Sequence, residues 1–394
     1  MRQFRVSVLM QISAAHFISH VYIMLIPALL PLLPDSLGVG YVDLGLAASL
    51  FSALSALLQA PIGFIVDRVG PWRVLISGIA LGTVSCLLMA LAPSYWGLLV
   101  VASVLGAANA VYHPADYAIL SRAIRDSVMG RAFSVHSFAG YAGSAITPFV
   151  AVFTASFWGL SAAFFVFGLF GVAVLGLIFL ARPKEREATC VERATPSTGK
   201  VAGGGLAAVF TLPILVLTFL YILLSLSTWS LERFSVAALV EGYGVALPLA
   251  NTALTAFLFL SAIGVLCGGS LADRTRRHGY VAALAFGVGG VLTAIVALGI
   301  LPDLALVPIL AVIGFLTGII VPSRDMLVRA ASPKGYEGRT FGVVSSGFNI
   351  GGMLGPPFLG YFLDHGMEPY IFWSAVAFMG LTVVLTLFQE SRKS

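Results

Sequence analysis

Residues 51–68 read F-S-A-L-S-A-L-L-Q-A-P-I-G-F-I-V-D-R, and residues 257–274 read F-L-F-L-S-A-I-G-V-L-C-G-G-S-L-A-D-R. Phe, Leu-Ser-Ala, Gly and Asp-Arg recur at a constant offset of 206 positions, so Gly63, Asp67 and Arg68 answer to Gly269, Asp273 and Arg274. A second block, G-R-A-F-S-V-H-S from Gly130, returns as G-R-T-F-G-V-V-S from Gly338 at an offset of 208, which also relates Pro114 to Pro322, Gly143 to Gly351 and Pro148 to Pro356. The chain is a tandem duplication. A weak repeat of about 200 hydrophobic residues points to a two-halved carrier whose parallel halves are related by an axis along the membrane normal.

Composition agrees. The chain is 59% hydrophobic and only 10% charged, against about 25% charged in soluble domains, and its mean hydropathy is +0.99. Apolar runs of about 20 residues between charged or Pro/Gly breaks start near residues 6, 43, 74, 95, 131, 160, 212, 248, 280, 304, 340 and 370. The expected fold is an all-α membrane protein of twelve transmembrane helices in two parallel, pseudo-symmetric six-helix halves. The halves are residues 1–181 and 206–394, joined by a cytoplasmic linker at 182–205 of mixed charge that turns Gly-rich. In that linker Thr198-Gly199-Lys200 imitates a phosphate loop, but Ala194 stands where its first Gly belongs and Val201 where Ser or Thr would hold magnesium. With no such motor and no room for a soluble catalytic domain, an enzyme is not expected and any driving force must come from a gradient.

Orientation follows from the basic residues. With both termini in the cytoplasm, 20 of the 22 Lys and Arg fall on the inner side, leaving Arg233 and Arg324, while the outer loops carry Asp35, Asp43, Glu241, Asp303, Asp364 and Glu368. This is the positive-inside pattern. It accounts for the basic balance as an insertion signal and speaks against a nucleic-acid partner. Arg2 and Arg5 before an apolar run resemble a signal peptide, but His16, Ser19 and His20 interrupt that run and it continues through Pro27 to Leu33, so an uncleaved first helix is the expected reading. The scattered Cys86, Cys190 and Cys267 suggest neither disulfides nor a metal site, and no cofactor is expected.

The stretch G-F-I-V-D-R-V-G-P-W-R, residues 63–73, resembles the signature loop between helices two and three of the major facilitator superfamily, with Gly63, Asp67, Arg68, Gly70 and Arg73 at its motif positions. Gly269, Asp273, Arg274 and Arg277 form a degenerate second copy. The resemblance implies that this loop is a cytoplasmic gate. Gly63 would let helices approach, Asp67 would accept hydrogen bonds from a neighbouring helix's N-terminus, and the arginines would pair with acids such as Asp126; a solvated turn that only sets topology is the alternative. A finer resemblance is to the fosmidomycin-resistance-like branch, through His16 with Pro31-Leu32-Leu33 and through Val111-Tyr112-His113-Pro114. His20 and Ala115 stand where drug-exporting members of that branch carry acids. Ala102 and Thr147-Pro148 depart from proton-antiporter patterns, which Gly351, Gly352, Gly355 and Pro356 follow better.

These resemblances imply a secondary active transporter that moves a small organic solute by alternating access, with proton-coupled efflux of a drug or metabolite as the leading version. Proton-coupled symport for uptake is the alternative, and an intramembrane enzyme is a distant alternative of another class. The implied setting is the bacterial inner membrane. The expected partners are a small-molecule substrate, protons and the lipid bilayer, and the expected state is a monomer.

Ionisable residues at membrane depth are the default functional candidates. On the fourth helix Asn109, His113 and Asp116 fall at i, i+4 and i+7 and make one polar stripe. The offset of 208 carries Asp116 to Arg324. The superfamily likeness puts both on cavity-lining helices, where they would face each other; a local pair of Arg324 with Asp325 is the competing reading. His16 and His20, at i and i+4, suit proton coupling or a substrate hydrogen bond. Their spacing also suits a metal, but no acid or Cys stands near them in sequence, so a metal site is not expected. His136, close to Arg131, reads as structural. Glu232 and Arg233 are an outer gating or substrate pair, or only an interfacial ion pair. Gly140, Gly143, Gly351, Gly352 and Gly355 read as close-packing positions.

Overall fold

A computed structural model describes residues 2–29, 32–39, 41–180 and 210–391. The expected linker at 182–205 lies outside them. The described residues contain no β-strand, which is what a bilayer demands of an open chain: with no water to bond, each segment must satisfy its own backbone groups. Helix α1 spans Arg2–Leu29, the short α2 Leu33–Leu37, α3 Tyr41–Val69, α4 Pro71–Leu91, α5 Tyr95–Ala123 and α6 Met129–Leu180. A further helix, α7 (Leu212–Thr228), runs on through a π-helical turn at Trp229–Phe234, the brief α8 at Ser235–Ala237 and a second π-helical turn at Ala238–Gly242. Then come α9 Leu247–Arg274, α10 His278–Ala297, α11 Asp303–Ala331, α12 Glu337–Asp364 and α13 Pro369–Ser391.

Ten stretches among the described residues are long and apolar enough to cross a membrane. The longest of them, Asp126–Leu180, has 55 residues, more than twice the roughly 20 that span a bilayer. Gly159, at φ 84°, breaks it in two. Helix α12 has the length, 28 residues, but is not one of these ten stretches. Counting both pieces of α6 and adding α12 gives twelve membrane-length stretches, each starting within about four residues of the hydropathy reading.

Two compact units emerge. The first comprises Met1–Arg125, His136–Thr211 and Ser332–Ser346, the second Asp126–Val135, Leu212–Ala331 and Gly347–Ser394. The starts of α6 and α12 thus each belong with the other repeat. In the first unit α1, α3 and α4 all pack on α5. In the second, α9 and α10 pack on α11, and α10 and α7 on α13.

The duplication is therefore one of packing as well as of sequence. Gly106 of α5 lies so close to α3 that a Cβ there would stand 2.8 Å from the Phe51 Cα, and its equivalent Gly314 of α11 meets the Phe257 Cα of α9 at the same 2.8 Å. Without a hydrophobic effect to drive helices together in lipid, such close backbone contact is the main source of association. Around it, Phe257, Phe286, Ile313 and Phe372 fill the core of the second unit, and Ile12, Ala15, Ile18 and Tyr112 are buried in the first. Leu88, Trp96, Phe149, Leu284 and Val384 remain exposed, a surface suited to lipid tails.

Gly314→Ala should accordingly destabilise the protein by about 1–3 kcal/mol through overpacking. Gly360→Ala, where nothing lies within 4 Å, should be neutral or stabilising because Ala is the better helix former. Thermal unfolding of both variants in detergent checks the pair, and equal midpoints would sink the close-packing account.

Candidate functional site

Three helices of the first unit bring a buried polar group together. Helix α5 supplies Asp116, fully buried, and α1 supplies His16, 4% exposed. Helix α6 supplies His136, also fully buried. Asp116 Oδ2 stands 3.6 Å from His16 Nδ1 and 3.7 Å from His136 Nε2. Neither Asp116 oxygen has a hydrogen-bond partner. The His16 and His136 rings stack at 4.0 Å with 27° between planes. The sequence offered His16 no nearby acid; the fold supplies one from 100 residues away.

The other N-terminal candidates surround this centre. The His20 ring lies 4.7 Å from that of His16, and its Nδ1 is 2.9 Å from Ser144 Oγ on α6. His113 lies 5.4 Å from His16, ring to ring, and stacks over Tyr117. Tyr117 in turn meets His136 edge-on and stacks flat on Phe341 at 4.1 Å. Asn109 donates to Ser55 Oγ of α3 at 2.6 Å.

His136, read from sequence as structural, is a central member of the group. The signal that would have found it is the pattern on its own helix. His136, Gly140, Gly143 and Ser144 fall at i, i+4, i+7 and i+8, one face, and that face lies on α1. A Cβ at Gly140 would stand 2.7 Å from His16 Cδ2 and 2.8 Å from His20 Cδ2. The small-residue stripe read as packing is thus also what admits the histidine rings.

The second unit holds the remaining candidates. Arg324 of α11 pairs with its neighbour Asp325 at 2.8 Å, so of the two partners the sequence offered it, the local one is made. Asp325 also accepts a hydrogen bond from Tyr221 Oη at 3.0 Å. The guanidinium lies over the rings of Tyr221 and Phe348, at 4.9 and 5.0 Å, a clamp that fixes its position. Glu232 and Arg233 fall within the first π-helical turn after α7, and Arg233 lies over Trp229 at 5.5 Å. Such wide turns in a helix are frequent at functional sites.

The signature residues make a reciprocal pair of helix caps. Asp67, at the end of α3, accepts from the backbone N–H groups of Gly338 and Arg339 at 3.2 and 3.1 Å, in the first turn of α12. Its repeat equivalent Asp273, at the end of α9, accepts from the N–H of Gly130 in the first turn of α6 and from Arg131 Nε, both at 2.6 Å. A helix start has unbonded N–H groups and a positive dipole end, and here each is satisfied by a carboxylate from the other repeat. Arg122 joins Asp67 and Glu337, each at 3.5 Å, and Arg339 lies 3.3 Å from Asp67. Asp126 takes Arg329, at 2.7 Å. Gly63 and Gly269 permit the approach: a Cβ on Gly63 would meet the Arg339 Cα at 2.9 Å, and one on Gly269 the Arg131 Cα at 3.0 Å. Gly70, at φ 103°, turns the chain between α3 and α4, a conformation that favours glycine. Arg68, Arg73 and Arg274 are exposed.

Comparison with known proteins agrees with this architecture. The chain is 26% identical over 389 residues to the fosmidomycin resistance protein of Escherichia coli, covering 96% of this chain and 91% of that one. It is 26% identical over 364 residues to the multi-drug resistance efflux pump PmrA of Streptococcus pneumoniae, covering 86% and 85%. Among solved structures, the E. coli fucose:proton symporter FucP superposes with a TM-score of 0.73 at 16% identity, over 96% of this chain and 98% of that one, and so shares its fold. The family model of the Major Facilitator Superfamily matches residues 12–235 and again 217–394. The chain belongs to the Major Facilitator Superfamily and is a secondary transporter, not an enzyme.

Proposed function

We propose that this transporter exports a small organic drug or metabolite in exchange for protons, with Asp116 and the adjoining His16 and His136 as the proton-coupling centre. One observation carries the reading: a fully buried carboxylate without hydrogen bonds, with two imidazole nitrogens 3.6 and 3.7 Å from one of its oxygens. An unneutralised charge at membrane depth costs about 2.5–3.5 kcal/mol or more, so the carboxylate calls for a cation, and a proton is the one every membrane gradient offers. Imidazole exchanges protons near neutral pH, and the chain His20, His16, Asp116 gives a proton successive acceptors. The drug-resistance and efflux names of the relatives favour export.

In this reading His20, Asn109 and His113 line the path of proton or solute beside the centre, and Glu232, Arg233 and Arg324 serve it from the second repeat. Asp67 and Asp273, with Gly63, Arg68, Gly70, Arg73 and Arg274 around them, form a cytoplasmic latch that releases in each cycle. The functional halves are residues 1–181 and 206–394, linked through 182–205. The protein works as a monomer in a bacterial inner membrane with both termini in the cytoplasm, and the positive-inside pattern of the sequence supports that orientation.

Proteoliposomes carrying a pH-sensitive dye and challenged with pooled small solutes test the coupling. Wild type should give solute-evoked proton flux of the antiport sign, Asp116→Asn should lose it by more than about tenfold, equivalent to 1.4 kcal/mol, and Asp303→Asn, an exposed acid, should keep it. Undiminished flux in Asp116→Asn removes the centre from the mechanism, and flux of the opposite sign makes the protein a symporter.

The latch has its own test. Ser134 is 2% exposed and sits against Gly269, so a Ser134→Cys thiol should react slowly with a membrane-impermeant maleimide. Adding Asp273→Ala removes a cap and an ion pair, a loss of about 1.5–3 kcal/mol, and should speed alkylation by roughly 10- to 100-fold. An unchanged rate would rule out Asp273 as the latch.

A further inference from the structure

The buried group around Asp116 has the donor set of a metal site. One ligand-type atom from each of His16, Asp116 and His136 lies within 4.8 Å of the others, and all three residues are buried. The two nitrogen-to-Oδ2 separations, 3.6 and 3.7 Å, are longer than hydrogen bonds. They approach the roughly 3.4 Å that separates two ligands of a tetrahedral ion whose bonds are about 2.05 Å. Face-to-face stacking of His16 and His136 at 4.0 Å suits two neutral rings, the form in which histidine ligates a metal, and is unfavourable for two cations. The Asp116 carboxylate beside them accepts no hydrogen bond. Gly140 leaves the rings room, since a Cβ there would stand 2.8 Å from His16 Nε2.

We propose that His16, Asp116 and His136 bind one divalent transition-metal ion of the zinc type. Two nitrogens and one oxygen match Zn²⁺, Co²⁺ or Ni²⁺, whereas Mg²⁺ and Ca²⁺ take oxygen ligands. Three protein ligands leave a fourth position open, and His20 and His113, whose rings are 4.7 and 5.4 Å from that of His16, are the nearest further donors. The ion ties α1, α5 and α6 at one point and neutralises the carboxylate in place of a proton, so ion and proton exclude each other there. The site does not depend on the proposed coupling, because an ion can bind to a carrier that moves no protons.

Titration of the purified protein in detergent with Co²⁺, followed by visible absorption, tests the site. Wild type should bind one equivalent with the intense bands of a four-coordinate ion, displaced by Zn²⁺. His136→Gln and Asp116→Asn should each weaken binding by at least about tenfold, and Gly140→Ala, which crowds the rings without removing a ligand, should weaken it measurably. His365→Gln, at an exposed histidine stacked on Tyr361, should leave it unchanged. If Asp116→Asn does not purify as a monodisperse species, His136→Gln decides the matter. Absence of Co²⁺ binding in wild type, or binding equally tight in His136→Gln, overturns the site. Proton flux without Co²⁺ binding removes the metal site and leaves the coupling intact; Co²⁺ binding without proton flux does the reverse.

Discussion

A polar group in the hydrocarbon of a bilayer has no water to turn to, and this constraint acts on the chain at two levels. For the backbone it selects helices, and the described residues contain no strand. For side chains it means that each ionisable residue at depth must be held by another part of the protein. Asp325 is held by Arg324 and Tyr221, and Asp67 by a helix start and two arginines. Asp116, by contrast, has two imidazole nitrogens at 3.6 and 3.7 Å, too long for hydrogen bonds. The proposed partner of this carboxylate is a mobile one, a proton or a metal ion.

The repeat gives the paired helix-end contacts their form. Because each half carries the same Asp-Arg turn and the same Gly-Arg helix start, one contact invented once is made twice, Asp67 with Gly338 and Arg339, Asp273 with Gly130 and Arg131. In both, a carboxylate meets the positive end of a helix, which is stronger than a contact between neutral groups. Each contact is still only a few hydrogen bonds at an end of a helix. Interactions of that size stabilise one conformation over another without preventing exchange.

The two repeats share packing but not chemistry. Gly106 on Phe51 and Gly314 on Phe257 are the same contact, yet the position of Asp116 is occupied by Arg324 and that of His113 by Val321. The first unit concentrates histidines around one carboxylate, while the second holds an arginine clamped by aromatic rings. Duplication supplied the scaffold, and divergence of a few inward positions supplied different sites on it.

Helix number, helix starts, the duplication and the membrane setting were determined by the sequence alone, because they rest on local properties: apolar length, repeated motifs and the side on which basic residues lie. So was the candidacy of His16, His113 and Asp116, since ionisable residues within apolar runs stand out without any structure. Only the tertiary structure decided which of them meet. Asp116 is 100 positions from His16 and 20 from His136, and no periodicity along one helix reports a neighbour on another. The same holds for Arg324, which pairs with its neighbour Asp325, and for Gly140, whose role is set by the rings of α1 that press against it. Pairing between helices is a property of packing, and packing is where the sequence stops being readable one segment at a time.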